Sequence, residues 1–403
     1  MRVRRLSQRA CELECPSRSD MPKLEGFKQE TGGGCHGSIC VGMPRAVASM
    51  RNAILVRNET YTARRSCKIM LTLPNKADET SESRLALSYV LPIATHTSQA
   101  RALGGYLCRL SRTLDDVIVV DGSGPEVFNR HAQAWGGYVR HIRPTICTTN
   151  GKVAGVITGV EAARHKAVVI ADDDVRYRTA DLIKMASLLA EYDVVRPQNR
   201  FVPSPWHARW DTARSLLNRL TGGDWPGTLG VRKSVLMKAG GYSGDALFEN
   251  LEMVRTVKAT GGREAVALDL IVARRPPHAR HFFSQRPRQA YDEWARPGRL
   301  IAQLSLLPLG IWLMRNGRHS SLVAIAALGI AAAEAGRRKA GGRSVFPPTS
   351  ALWAPAWLTE RALTSWVALS TRLLFGGVKY RDKRLKRAAT PMRELYRSVP
   401  RER

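Results

Sequence analysis

Acidic residues are scarce in this chain of 403 residues: 34 Asp and Glu stand against 63 Lys and Arg, a formal net charge of +29. Aromatic residues make up 7%. A surface this basic disfavours basic partners and favours polyanions such as phosphate-bearing substrates or anionic lipid headgroups. The chain lacks zinc-finger spacing and any RNA-binding aromatic signature, which excludes nucleic acid as the expected partner. Residues 1–20 lack an apolar core, so no signal peptide is expected. Seven cysteines are present. Cys11/Cys15 and Cys35/Cys40, with His36 alongside, are spaced too widely for a zinc knuckle. Cys108 and Cys147 read as small buried residues. Periodicity is missing from residues 1–82, which read as a disordered or weakly ordered extension, with Met70 as a possible internal start.

What is present begins at residue 85. Apolar runs at 85–92, 116–121, 138–142, 167–171, 193–197, 228–232 and 264–273 alternate with helical segments, a pattern that predicts an α/β sheet. Ala167-Val-Val-Ile-Ala-Asp-Asp-Asp-Val175 reads as a buried strand delivering three carboxylates at its carboxyl end, where open α/β sheets place ligands. Adjacent carboxylates repel, so a compensating cation is expected, a divalent ion with oxygen ligands foremost. A solvated acidic turn before the helix near Thr179 is the other reading of those residues alone. Asp121 ends a second strand in a glycine-rich turn. Asn150, Gly151 and Lys152 open a helix. An aromatic, basic helix follows over 206–220, carrying Trp206 and Trp210.

The last hundred residues change character. Residues 300–314 and 321–333 are apolar, each short of the ~20 residues that cross a bilayer unless flanking residues extend them. Residues 352–376 are apolar but interrupted by Glu360 and Arg361. From Val378 onward ten Lys and Arg face three acidic residues. Positive residues stay cytoplasmic, so two membrane segments plus a surface-lying amphipathic helix are expected, with the globular domain on the cytoplasmic side of the cell membrane. The division predicted is 1–82 extension, 83–298 globular domain, 299–377 membrane-associated helices and 378–403 basic tail. A buried helical hairpin is the competing reading of 300–335.

In order, these motifs resemble glycosyltransferase family 2, inverting enzymes with the nucleotide-diphosphosugar GT-A fold, over residues 85–294. Leu87-Ser-Tyr-Val-Leu-Pro92 is similar to the family's opening strand, Val117-Ile-Val-Val-Asp-Gly-Ser123 to its second-strand signature, and Asn150-Gly-Lys152 to its Gly-Lys. Asp172-Asp-Asp174 takes the place of its DxD. Arg232 with Gly240-Gly-Tyr242, then Glu249-Asn250 and Gln285-Arg-Pro-Arg288, resemble its remaining motifs. The resemblance implies a mixed α/β sheet flanked by helices, a UDP-linked donor, a lipid or glycan acceptor, and Mg2+ or Mn2+ on Asp172 and Asp174. It implies donor contacts from Pro92, Asp121, Lys152, Asp172, Asp173, Arg286 and Arg288. The acceptor is expected near Trp206, Trp210 and Asp224.

Inverting transfer requires a carboxylate to take the acceptor proton. The family's Asp is Asn250 here, which cannot act so. Glu249 is the expected base, Glu252 the reserve, and Asp224 the next candidate. The tryptophan that follows the family's last motif is Gln289, which argues against processive polymerisation. Two other functions compete. A sugar nucleotidyltransferase would need a glycine-rich, Arg-containing loop between Pro92 and Gly105, which is missing. A non-catalytic membrane protein retaining the fold is the second.

Overall fold

The computed structural model describes residues 84–380 and 383–398. The expectations for residues 1–82, including the Cys11/Cys15 and Cys35/Cys40 pairs, lie outside the described residues. Regular structure opens with β1 (Leu85–Ile93), α1 (Ala100–Thr113), β2 (Leu114–Asp121), α2 (Pro125–Trp135), β3 (Arg140–Ile142), α3 (Gly151–Ala162) and β4 (Ala167–Ala171). It continues through β5 (Val175–Arg176), α4 (Thr179–Glu191), β6 (Val194–Phe201), α5 (Trp206–Leu220), β7 (Thr228–Arg232), α6 (Lys233–Lys238), α7 (Glu249–Ala259) and β8 (Glu264–Arg274).

These strands form one eight-stranded sheet in the order β3-β2-β1-β4-β7-β6-β8-β5. Strands β3, β2, β1 and β4 run parallel, whereas β7 is antiparallel to both β4 and β6. Period-two alternation explains why the strands read as unbroken apolar runs. Leu87, Tyr89, Leu91, Val117, Val119 and Val169 pack on one face with α1, α2 and α4. Val90, Ile118, Val120, Val168 and Ile170 pack on the other with α3 and α7. Helix α3 lies very close to the sheet at Gly159, where a Cβ would stand 2.3 Å from Val90 Cγ1. That closeness fixes the height of Lys152, in the first turn of α3, over the strand ends.

After β8 the chain turns to helix: α8 (Ala279–Tyr291), a 3-10 turn (Asp292–Ala295), α9 (Pro297–Arg315), α10 (His319–Arg338) and α11 (Ala354–Phe375). Flanking residues extend both short apolar runs, giving helices of 19 and 20 residues. By length and hydropathy two helical segments, Pro297–Arg315 and His319–Ser344, are each able to cross a membrane, and 17% of each apolar window is buried. Helix α11 is polar on its inner side. Arg361 is buried, and Glu360 Oε2 accepts from Trp210 Nε1 at 3.1 Å. Leu363, Trp366, Val367, Leu373 and Leu374 face outward. The charged interruption in this segment is therefore its protein-facing side.

The basic tail is ordered where it is described. β9 (Val378–Tyr380) and β10 (Lys383–Leu385) form an antiparallel hairpin, and α12 (Met392–Ser398) follows. Between them, residues 387–390 return to the globular domain. Leu247 N and Phe248 N donate to Arg387 O and Ala388 O at 3.0 and 2.8 Å.

Candidate active site

Parallel pairing of β4 with β1 sets Asp172, Asp173 and Asp174 at the carboxyl edge of the sheet. The acidic turn is tied down by Asp172 N, which donates to Gly227 O at 2.8 Å, and by Arg275 N, which donates to Asp174 O at 2.8 Å. Position 227 has no room for a side chain, since a Cβ would lie 2.6 Å from Asp172 Oδ2 and 3.0 Å from Arg274 Cζ.

Two cations converge on the turn. Lys152 Nζ lies 2.5 Å from Asp172 Oδ1 and 2.7 Å from Glu249 Oε1. Arg274 Nε lies 2.8 Å from Asp174 Oδ2, with Nη2 3.5 Å from Asp172 Oδ2. Lys152 is delivered by the helix start, where Asn150 Oδ1 accepts from Lys152 N at 3.2 Å. Burial alone would lower its pKa, but Asp172 and Glu249 outweigh burial and hold the ammonium well above its usual range. Asp174 is pushed up by burial and by its acidic neighbours, with Arg274 opposing. Its Oδ1 is buried without a hydrogen-bond partner. An orphaned carboxylate oxygen beside a second carboxylate suits a hard divalent cation, which takes oxygen ligands. Asp173 is exposed and makes no side-chain contact of this kind.

The remaining expected residues fall in different places. Pro92 lies half-buried in β1 under α3, its Cβ 2.9 Å from where a Gly155 Cβ would be. Asp121 is fully buried. Its Oδ1 accepts from Ser123 N at 2.8 Å, and its Oδ2 sits 2.6 Å from His131 Nδ1 and 3.0 Å from His141 Nε2. Burial would raise this carboxyl, yet the two imidazoles and Ser123 hold it well below the usual carboxylate range. Ligand atoms of Asp121, His131 and His141 lie within 4.8 Å of one another, close enough for a metal. However, His131 Nε2 accepts from Gln99 N at 2.8 Å, which leaves the ring proton on Nδ1, aimed at Asp121. Both nitrogens of His131 are thereby engaged, leaving it no lone pair for a cation, while His141 Nδ1 is buried without a partner.

Arg286 and Arg288 are split. Arg286 is buried, with Nη1 3.1 Å from Asp211 Oδ1 and 3.7 Å from Glu360 Oε2, so it ties α8 to α5 and α11. Arg288 stays with the site: its guanidinium lies 4.9 Å from the Tyr380 ring centre, and Tyr380 Oη donates to Asn150 Oδ1 at 3.0 Å. Trp206 and Trp210 belong to an aromatic cluster with Phe283 and Trp353 that joins α5, α8 and the residue preceding α11. Asp224 is buried, with oxygens bonded by Arg214 Nη1, Ser215 Oγ and Asn218 Nδ2 at 2.5, 2.5 and 2.8 Å.

Of the expected bases, Glu249 stands in the site with Oε1 on Lys152. Glu252 is buried one turn on, its Oε2 accepting from Thr390 N at 2.6 Å. Asn250 Nδ2 donates to Pro226 O at 2.8 Å. Arg274 and Tyr380 were not among the expected site residues. Only Arg274 left a sequence signal, a basic pair closing an apolar strand.

A mixed sheet covered on both faces thus carries a carboxylate turn at the edge of β4, held between a helix-start lysine and an arginine. Residues 98–236 match the model of glycosyl transferase family 2, and that segment belongs to the family. No curated protein matches the chain. Solved structures similar to it include a mannosyltransferase from Pyrobaculum calidifontis in complex with GDP-Man and Mn2+, 18% identical with a TM-score of 0.45, covering 78% of this chain and 97% of that one. Another is glucosyl-3-phosphoglycerate synthase from Mycobacterium tuberculosis with Mn2+, UDP and phosphoglyceric acid, 16% identical with a TM-score of 0.34, covering 49% and 73%. Mannosyl-3-phosphoglycerate synthase from Rubrobacter xylanophilus is 18% identical with a TM-score of 0.34, covering 50% and 70%.

Proposed function

We propose that this protein is a membrane-associated, metal-dependent glycosyltransferase moving one sugar, with inversion, from a UDP-linked donor to a lipid or cell-envelope acceptor. The observation that carries the reading is the meeting of Asp172, Asp174, Lys152, Glu249 and Arg274 at one strand end. Mg2+ or Mn2+ held by Asp172 and Asp174 would supply positive charge to the departing diphosphate. The orphaned Asp174 Oδ1 supports that fit. Lys152, at the amino end of α3, offers a point charge and a helix start to donor phosphate. A donor-side role for Arg288 is supported by its packing on Tyr380, whose hydroxyl reaches Asn150 at the start of α3. The outward apolar faces of α9, α10 and α11 and the basic tail support attachment to an anionic cytoplasmic leaflet.

The test is Asp174→Ala in the full chain, assayed with a panel of nucleotide sugars, Mn2+ and membrane extract, the product read by mass spectrometry. The variant is expected to keep its fold and lose donor hydrolysis and transfer by at least ~100-fold, the size of an electrostatic contribution at a leaving group. Full activity in that variant, or in chelator-treated wild type, refutes the mechanism.

A further inference from the structure

A cavity of about 900 Å3 lies between β8 and a 3-10 turn (Lys339–Ser344) that follows α10. Val266, Leu268, Ile271 and Val345 give it apolar walls, and Arg178, Arg200 and Asp269 stand among them. Apolar walls with a few polar groups, at that volume, are the make-up of a small-molecule site. Two of the three charges are already matched. Arg178 holds Asp181 through Nε and Nη2 at 3.0 and 2.8 Å, and Asp269 Oδ2 lies 2.6 Å from Lys184 Nζ. Arg200 differs: it is half-buried, and its guanidinium makes no hydrogen bond or ion pair with any of the described residues. A guanidinium carries five N–H donors and stays charged, so one drawn out of solvent without an acceptor calls for an anion.

The wall formed by residues 339–345 is held in shape from behind. Arg219, fully buried, donates from Nη2 to Lys339 O at 2.6 Å, and buried Arg337 donates from Nη1 to Arg343 O at 3.0 Å. Between these anchors Ala340 sits at φ 46° and ψ 54°, the one non-glycine residue with left-handed backbone among the described residues. Alanine keeps that conformation only where its surroundings impose it, and residues so held cluster at ligand clamps. The cavity is separate from the acidic turn. Arg200 pairs in register with Ala273, and the next residue of β8, Arg274, reaches Asp174. Successive side chains on a strand alternate, so the two arginines point to opposite sides of the sheet. The turn that walls the cavity instead continues from α10, whose outer face is apolar.

Resting on the membrane attachment proposed above, we propose that this cavity binds the phosphate-bearing headgroup of one anionic membrane lipid. Arg200 donates to the phosphate oxygens, which its planar fork matches. Val266, Leu268, Ile271 and Val345 cover the glycerol and the first methylenes of the chains. Lys339 and Arg343, exposed on the same turn, add positive charge nearby. A lipid held there ties the end of α10 and strand β8 to the leaflet at one point, apart from the residues that meet the donor.

The experiment titrates the full chain in non-ionic detergent with phosphatidylglycerol, phosphatidylcholine or inorganic phosphate, and counts retained molecules by native mass spectrometry. Wild type is expected to retain phosphatidylglycerol in preference to phosphatidylcholine. Arg200→Gln should bind it at least ~10-fold more weakly, the usual loss for a charge-assisted hydrogen bond, while UDP-glucose binding stays unchanged. Equal retention by variant and wild type, or no preference over phosphatidylcholine, overturns the site. Inorganic phosphate bound as tightly as the lipid overturns the lipid in favour of a free anion. Should Arg200→Gln fail to fold, wild type is cross-linked with a phosphatidylglycerol carrying a photoreactive headgroup. Adducts on residues 264–274 or 339–345 support the site, and adducts confined to α9 and α11 overturn it. Partition into phosphatidylglycerol vesicles separates the two readings. Wild type that partitions but shows no lipid preference loses only the cavity, whereas wild type that does not partition loses the attachment and the cavity with it.

Discussion

Lys152 bridges two carboxylates, and its removal has a consequence that can be sized. Its Nζ lies 2.5 Å from Asp172 and 2.7 Å from Glu249, with the three side chains 23%, 23% and 14% exposed. Each contact is worth ~6 kcal/mol of raw attraction at an effective dielectric of ~20, most of it offset by desolvation of the ions. With the pairs partly screened, Lys152→Met is expected to cost about 2 kcal/mol net, because Glu249 is left facing uncompensated negative charge while Asp172 keeps Arg274. Glu249→Gln should cost less, about 1 kcal/mol, since Lys152 keeps Asp172. In a domain of this size 2 kcal/mol moves the melting midpoint by roughly 4–8 °C. The assay is thermal unfolding of wild type, both single variants and the double variant in detergent at pH 8 to 9. The folded ammonium titrates above its unfolded value, so its contribution is complete below ~10 and the Lys152→Met deficit is constant across that window. The double variant should melt no lower than Lys152→Met. Single effects that add within ~0.5 kcal/mol would show that the two side chains do not interact and would refute the bridge.

Two further outcomes follow from the packing. Glu252→Ala leaves Thr390 N without its acceptor at 2.6 Å and should cost about 1–3 kcal/mol. Hydrogen exchange is expected to rise over residues 386–396 while donor binding persists; unchanged exchange there would count against the contact. Leu328 and Leu374 are 70% and 74% exposed on the outer faces of α10 and α11. Replacing both with Asp should weaken partition into anionic vesicles at least ~10-fold, given ~1.5–3 kcal/mol for burying each leucine. Equal partition would remove the membrane-facing role of that surface.

The sheet and its acidic turn were legible because they are local. An apolar run buried on both faces, followed by carboxylates, reads the same in one dimension as in three, and Asn150 announced the helix that brings Lys152. Roles set by distant packing were not legible. Arg286, Trp206 and Trp210 have the composition of a ligand-binding face, yet the same residues serve equally to join helices. Here Glu360 of α11 and Trp353 just before that helix receive them. Glu249 and Glu252 look equivalent on one helix, and only the return of residues 387–390 separates them.

That returning segment sets an order of events in the making of the protein. Residues 378–390 are translated after every apolar helix, yet they supply the backbone that meets Phe248 and Glu252 and the hydroxyl that meets Asn150. A ribosome that has finished the sheet has therefore not finished the site. The wall beside Lys152 closes only once α9, α10 and α11 have been laid down and the chain has come back across them. A soluble fragment cut at residue 298 would carry the acidic turn without that wall.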